Sequence, residues 1–287
     1  MAILGAHMSI VGGYYRAVER AHALGCDCVQ LFTKNRNQWR NRPVSREEAL
    51  RFAAALAEHK VAHPIAHASY LINLASPDRS LWRKSTDALV GEVRRADRLG
   101  IDYVVIHPGA SIDGKATAGL RRVVRALNQV HARTPGVRSQ CLLETTAGQG
   151  TSLGGDFEHL AAVLEDVESP DRLGICFDTC HVFAAGYPLS PEAEYDATVA
   201  KLEQTVGFSR VKAVHLNDSL GALGSRVDRH GHIGRGAMGL EPFRLLLNDS
   251  RFSSIPMYLE TPKGVECGID LDRVNLATLR ALVVGST

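Results

Sequence analysis

A chain of 287 residues with 45% hydrophobic and 22% charged content has the composition of an ordinary globular protein, with apolar surface enough for a large core. No run approaches the roughly eighteen apolar residues that a membrane span needs. The start, Met1-Ala2-Ile3-Leu4-Gly5, lacks the charged n-region of a secretory signal, so a cytoplasmic location and no membrane partner are expected. The net charge of +2 does not by itself announce a nucleic-acid binder. Charge is uneven, however: Lys34, Arg36, Arg40, Arg42 and Arg46 fall in one stretch without an acid, with Trp39 among them. Such a run is either a solvated face or a surface for a polyanion. Six cysteines, with no Cys-x-x-Cys pair, read as small buried hydrophobes rather than a disulfide framework.

In chain order, eight short apolar runs read as strands: 2–7, 28–33, 64–68, 103–107, 140–145, 173–178, 211–217 and 256–260. They are continuously apolar rather than alternating, as parallel strands covered on both faces must be. Between and after them, residues 14–24, 46–60, 81–99, 117–132, 157–167, 193–206, 242–247 and 271–282 carry apolar residues at helical spacing. Gly25, Gly100 and Gly136 stand where helices should stop, and Ser45 with Glu48 is a capping-box start. Eight β–α alternations without a composition shift or linker predict an α/β fold, a single (β/α)₈ TIM barrel over residues 1–287. A doubly wound open sheet is the structural alternative, but no Gly-x-Gly-x-x-Gly follows the first strand. The longest irregular stretch, 218–240, is rich in Gly, Ser, Asp and His, and a loop of that length in a compact domain points to function.

Polar residues fall where apolar strands end. His67, His107, Glu144, Asp178, His215 and Glu260 close strands three to eight, and parallel strands in a barrel would aim all six at one mouth. His181 follows in Asp-Thr-Cys-His, and Asp228 and His230 lie in the long loop. A lone His or Asp at a strand end is ordinarily a hydrogen-bonded polar residue or a helix cap. Six of eight strands ending this way cannot be caps, and acids so gathered require cations. Mixed imidazole and carboxylate donors suit Zn²⁺, with Mn²⁺ or Fe²⁺ open. Nine donors exceed one tetrahedral site and fit two or three ions, and paired ions about 3.5–4 Å apart perform phosphodiester hydrolysis. Three Zn²⁺ would bring the charge to about +8, a field suited to a polyanion. His7 faces the same mouth and is expected to orient a ligand or a phosphate. His63 and His232 are read as bystanders, and His22, His59, His131 and His159 as helix-surface residues. Gly148–Gly155 lacks the Lys-Ser/Thr of a P-loop and reads as a strand-to-helix turn.

These residues sit in stretches that resemble the endonuclease IV family of abasic-site endonucleases: GAHMS (5–9), LFTKN (31–35), HASYLINL (67–74), IHPG (106–109), LETTAGQG (143–150), GICFDTCHVFAAGY (174–187), HLNDS (215–219), GSRVDRHGHIGRG (224–236) and LET (259–261). They run in order across nearly the whole chain. The resemblance implies three zinc ions: one held by His67, His107 and Glu144, a second reached by bridging Glu144 and completed by Asp178, His215 and Glu260, and a third held by His181, Asp228 and His230. Glu144 and Glu260 are the implied catalytic carboxylates. It further implies a monomer that acts on double-stranded DNA, hydrolysing the phosphodiester 5′ to an abasic site to leave a 3′-hydroxyl, with a 3′-end repair activity. Tyr70 and Leu71 match the family's wedge into the base stack; read without the family, they begin a helix in the core. The family's DNA-inserting arginine falls at the position of Asn37 here, with Arg36 one place earlier. Arg36 and Asn37 are therefore joint candidates for DNA contact, with Gln38 and Trp39 beside them.

Two rivals stay open on the residues alone. A sugar isomerase or epimerase of the xylose-isomerase-like barrels shares strand-end His and acid donors, but needs only one or two ions and no wedge. A non-catalytic DNA-binding or zinc-storing protein would not need a bridging Glu.

Overall fold

The computed structural model describes residues 2–40 and 42–284; residues 1 and 285–287, the ends of the expected 1–287 span, lie outside the described residues. In chain order the strands are β1 (Leu4–Met8), β2 (Cys28–Phe32), β3 (Ala62–His67), β4 (Tyr103–Ile106), β5 (Gln140–Glu144), β6 (Leu173–Asp178), β7 (Val211–His215), β8 (Asp218–Ser219), β9 (His230–Gly231), β10 (Met257–Leu259), β11 (Val265–Glu266) and β12 (Ile269–Asp270). Eight of them close into a barrel in the order β1-β10-β7-β6-β5-β4-β3-β2, and every barrel pairing is parallel. The open-sheet alternative is excluded by the β1–β10 closure, Leu4 to Met257 and Ala6 to Leu259. Gly5 permits a tight seam: a Cβ there would lie 2.0 Å from the Cys28 carbonyl oxygen.

The helices are α1 (Tyr14–Ala23), α2 (Arg46–His59), α3 (Arg79–Leu99), α4 (Ala116–Arg133), α5 (Phe157–Asp166), α6 (Thr179–Ala185), α7 (Glu192–Thr205), α8 (Glu241–Asn248) and α9 (Leu271–Ala281). At α2 the capping box is complete, with the Glu48 amide donating to Ser45 Oγ and the Ser45 amide to the Glu48 carboxylate. Gly100 closes α3 in the left-handed region at φ 72°. Strand ends differ from expectation by one or two residues, as fraying ends do. The seven-residue α6 has no counterpart in the sequence reading, because a helix that short shows no periodicity; Asp178 caps it by accepting from the His181 amide at 2.8 Å. Within 218–240 the structure adds the antiparallel pairing Asp218–Gly231 and Ser219–His230.

The largest apolar cluster fills the space between barrel and helices. A second plugs the barrel interior: Cys28, Ile65, Val105, Leu142, Cys176, Ala213 and Tyr258. Side chains alternate along a strand with period two, so the residue two places on from each plug member returns to the barrel axis one layer nearer the mouth. Those residues are Gln30, His67, His107, Glu144, Asp178, His215 and Glu260. The apolar plug is thus the floor on which a polar layer stands.

Two expectations fail on burial. Cys267 is exposed, in the turn of the β11–β12 hairpin, while the other five cysteines are buried as expected. His131 is not a surface residue but 8% exposed on the inner face of α4, with neither ring nitrogen hydrogen-bonded. Burial, aided by Arg172, pushes its pKa down from 6.5 to about 4. An unfolded chain binds this proton below pH 6.5 and the folded one does not, so folding loses stability as pH falls from 6.5 towards 4. Replacing His131 by Leu is expected to flatten that acid-side slope, as measured by urea unfolding between pH 7 and pH 5.

Candidate metal centre

All eight barrel strands send a polar side chain to the mouth layer. His7 and Gln30 are register partners on β1 and β2, as are Asp178 and His215 on β6 and β7. Around the Glu144 carboxylate, which is fully buried, stand four imidazoles. His67 Nε2 and His107 Nε2 lie 3.2 and 3.0 Å from Oε2; His181 Nδ1 and His215 Nδ1 lie 3.3 and 3.0 Å from Oε1. His215 Nδ1 is also 3.2 Å from Glu260 and 3.7 Å from Asp178. His181 Nε2 is 3.1 Å from Asp228 and 3.3 Å from His230 Nε2.

Donor atoms within 4.8 Å of one another form three groups among the described residues: His67 with His107 and Glu144; Glu144 with Asp178, His215 and Glu260; and Asp178 with His181 and His230. The first two match the expected sets. In the third, Asp178 takes the place expected of Asp228, whose carboxylate nevertheless lies 3.1 Å from His181 and 3.7 Å from His230. The nine expected residues therefore lie in one cluster, with Glu144 and Asp178 each shared between two of its parts.

Hydrogen bonds behind the rings decide which nitrogen faces the cluster. A carbonyl oxygen only accepts, so His67 Nδ1–H donates to Ala68 O (2.7 Å), His181 Nδ1–H to Thr145 O (2.9 Å) and His230 Nδ1–H to Glu260 O (3.3 Å). Each ring then turns an Nε2 lone pair inward. His215 is reversed: its Nε2–H donates to Gln30 Oε1 at 2.8 Å, which leaves Nδ1 facing Glu144 and Glu260. Lone pairs opposed to carboxylate oxygens repel unless a proton or a metal ion lies between them. The donor set fits divalent cations of the zinc type.

The charges respond accordingly. Burial would push Glu144 and Glu260 up, but the facing imidazoles hold both well below the usual carboxylate range. Burial would likewise lower His67, His181 and His215, yet their acidic neighbours hold them above the ordinary imidazole range. His7 differs: burial dominates and brings it to about 4, so it is neutral. It accepts from Gln30 Nε2 at 2.9 Å, and the same amide donates to Glu260 at 2.5 Å. His7 therefore orients Gln30, which holds Glu260 and His215.

Gln30 was missed in the sequence, although a lone amide in the buried run Cys-Val-Gln-Leu-Phe is costly unless bonded, and that is its signal. Asn217 was also missed; it donates to Asp178 (2.8 Å) and accepts from the Glu260 amide (2.9 Å). Gly148–Gly155 forms the expected strand-to-helix turn between β5 and α5, and Gln149 within it accepts from the Asp228 amide at 3.1 Å. His63, at the opposite end of β3, and His232, paired with Asn275, stay out of the cluster.

At the rim, Tyr70 is 52% exposed, so its core-helix reading fails; its ring lies 5.2 Å from that of His67. Leu71 is partly exposed beside it. The Arg36 guanidinium stands 5.7 Å from the Tyr70 ring and 5.6 Å from Phe32, which brings Arg36 beside Tyr70. Asn37 and Gln38 are exposed, whereas Trp39 is half-buried against the core beneath the Lys84 ammonium at 4.4 Å.

The long loop carrying Asp228 and His230 is tied down by Asp218. This buried carboxylate accepts from the amides of Ser219 (2.7 Å), Gly236 (2.9 Å) and Met238 (3.1 Å). A Cβ at Gly236 would meet it at 2.4 Å. Asp218→Asn is expected to speed amide exchange of residues 230–238 at least about tenfold, since each charged hydrogen bond contributes about 1.5–3 kcal/mol. Hydrogen-exchange mass spectrometry that finds this loop as protected as before removes the anchor role.

Residues 18–278 match the model of the xylose isomerase-like TIM barrel family. A probable endonuclease 4 of Chloroflexus aggregans is 50% identical, covering 99% of this chain and 98% of its own. The crystal structure of endonuclease IV from Thermus thermophilus superposes with a TM-score of 0.84 at 38% identity, over 97% of this chain and 98% of the other. A D-psicose 3-epimerase from Clostridium cellulolyticum reaches a TM-score of 0.66 at 13% identity, over 97% and 99%, which is a likeness of fold alone. Among the described residues no helix is long and apolar enough to cross a membrane.

Proposed function

The chain belongs to the endonuclease 4 family, and from that premise we propose that its nine mouth donors hold three zinc ions and cut DNA at abasic sites. It is a DNA-cleaving hydrolase, an abasic-site endonuclease. The observation that carries the zinc reading is the inward lone pairs of His67, His181, His215 and His230, each fixed by a hydrogen bond behind the ring and opposed to carboxylates. His67, His107 and Glu144 would hold one ion, with Glu144 reaching to Asp178, His215 and Glu260 for the second. His181, His230 and Asp228 would hold the third, with Asp178 beside them.

Bound there, divalent zinc acidifies water at neutral pH and neutralises charge on the attacking and departing oxygens. The chain's own part is placement. Glu144 and Glu260, held by histidines and by Gln30, fix the centre of the cluster where the scissile phosphate arrives. Tyr70 and Leu71 project beside it into the base stack, and Arg36 and Asn37 follow on the adjoining loop, with Gln38 beside them. Trp39 supports that loop from its inner side. An abasic nucleotide has no base to unstack, so extruding it costs less than flipping an intact one, which gives selectivity. The bond broken lies 5′ to the lesion and leaves a 3′-hydroxyl; a blocked 3′ end offers the same phosphodiester, so 3′-end repair belongs to the same site. Against the epimerase reading stand His181 and His230, the Asp228 carboxylate beside them and the exposed Tyr70.

Purified protein should contain close to three zinc equivalents by elemental analysis and nick a duplex with a tetrahydrofuran abasic analogue without added Mg²⁺. Glu144→Gln should lower that rate by about 10³-fold or more, as loss of a central electrostatic group does. Intact substrate, or one tightly held Mn²⁺ or Mg²⁺ ion, overturns the proposal. Tyr70→Ala should weaken binding to the abasic duplex by about tenfold, the order of one lost stacking contact, and to undamaged duplex by less. Equal losses on both duplexes would remove the wedge role.

A further inference from the structure

Behind the end of β2 lies a buried polar cluster that the metal centre does not use. Thr33 Oγ1 donates to Glu92 Oε2 at 2.5 Å and accepts from Arg95 Nε at 2.9 Å, while Arg95 Nη2 stands 2.6 Å from the same carboxylate. Glu92 and Arg95, both on α3, are 1% and 4% exposed. Tyr14 donates to the Thr33 carbonyl at 2.8 Å. Burying such a pair is costly, and apolar residues of similar volume would stabilise the fold as well or better. Stability is therefore a poor reason for its presence, and its connections suggest another.

The second carboxylate oxygen, Glu92 Oε1, has no hydrogen bond, and the Lys34 ammonium is 3.8 Å away. That ammonium donates to the backbone carbonyls of Asn35, at 3.3 Å, and Gln38. Lys34 is thus held between the buried Glu92 carboxylate and two carbonyls of the loop that carries Arg36 and Asn37. The loop's inner turn is completed by Gln38 N to Asn35 O (3.3 Å) and Asn37 N to Asn35 Oδ1 (2.9 Å). On its outer side Ser69 Oγ donates to the Arg36 carbonyl, which ties it to the loop of Tyr70 and Leu71. Helix α3 grips the far end as well, through Lys84 over Trp39.

We infer that Glu92, acting through Lys34, is a positioning residue for lesion recognition: it keeps the 34–39 loop in its DNA-reading shape before DNA arrives. The inference rests on the endonuclease reading above. A loop already ordered pays less on binding, so the tether acts on affinity and discrimination, not on the chemical step. Being buried, Glu92 cannot touch DNA itself. Lys34, occupied internally, is not a phosphate contact.

The test compares zinc-loaded wild type, Glu92→Gln and Lys34→Met on the tetrahydrofuran duplex and on undamaged duplex. Both variants should raise KM for the abasic duplex about tenfold, with kcat within about twofold, and should narrow the preference for abasic over intact DNA. Their zinc content should match wild type, and Lys34→Arg, which keeps a cation able to reach both carbonyls, should recover most of the affinity. The slope of log Kd against log salt should be the same for Lys34→Met as for wild type; a slope smaller by about one places Lys34 on a phosphate and overturns the inference. Unchanged KM, or a fall in kcat at constant KM, also overturns it. Should Glu92→Gln fail to fold, the Lys34 variants decide alone, because that side chain lies at the edge of the cluster. Wild-type protein that leaves the abasic duplex uncut fails on different grounds, since it removes the endonuclease reading on which the inference stands.

Discussion

The structure turns on one carboxylate. Glu144 ends β5 with no exposed surface, and four imidazoles from β3, the β4 end, α6 and β7 close around it. A buried negative charge without compensation is not tolerated in a protein interior. The histidines supply that compensation by holding protons, or by yielding those positions to a metal ion. Most of the other mouth contacts follow from this need. Gln30 and Asn217 brace the outlying carboxylates, the backbone carbonyls set the ring tautomers, and the apolar plug forms the floor beneath.

The same barrel serves sugar epimerases, so the fold does not choose the reaction. Six of the donors stand on or immediately after strand ends. The remaining three are delivered by α6 and the 218–240 loop, outside the barrel wall. Donors beyond the strand ends, an exposed aromatic beside them and a basic neighbouring loop are what this chain places around the mouth.

Much of this was legible in the chain because barrel strands parallel to one another place their C-terminal residues together. His67, Glu144, Asp178 and His215 could be assigned to one mouth without coordinates. The resemblance supplied the division into three groups; in the structure Asp178, not Asp228, falls in the group with His181 and His230. Other features could not be read. Helix α6 is too short to show a period. Gln30 reads as one polar residue in a strand until the period-two layer is counted from Cys28. The burial of His131 depends on which way α4 faces, and the exposure of Cys267 on a two-residue hairpin. The Glu92–Arg95 pair lies on a helix 59 positions along the chain from its partner Thr33, and no local pattern predicts such a contact.

The carbonyl bonds behind the histidines bear on how metal ions would enter this cluster. In small zinc domains the ion organises the chain, and folding waits for it. Here the rings are already aimed by Ala68, Thr145 and Glu260 backbone oxygens that belong to the scaffold. An ion entering here would displace protons and shed its water shell onto rings already aimed, with no rebuilding of the backbone. Metal would then be bound by a frame whose shape is set by the barrel and not by the ion.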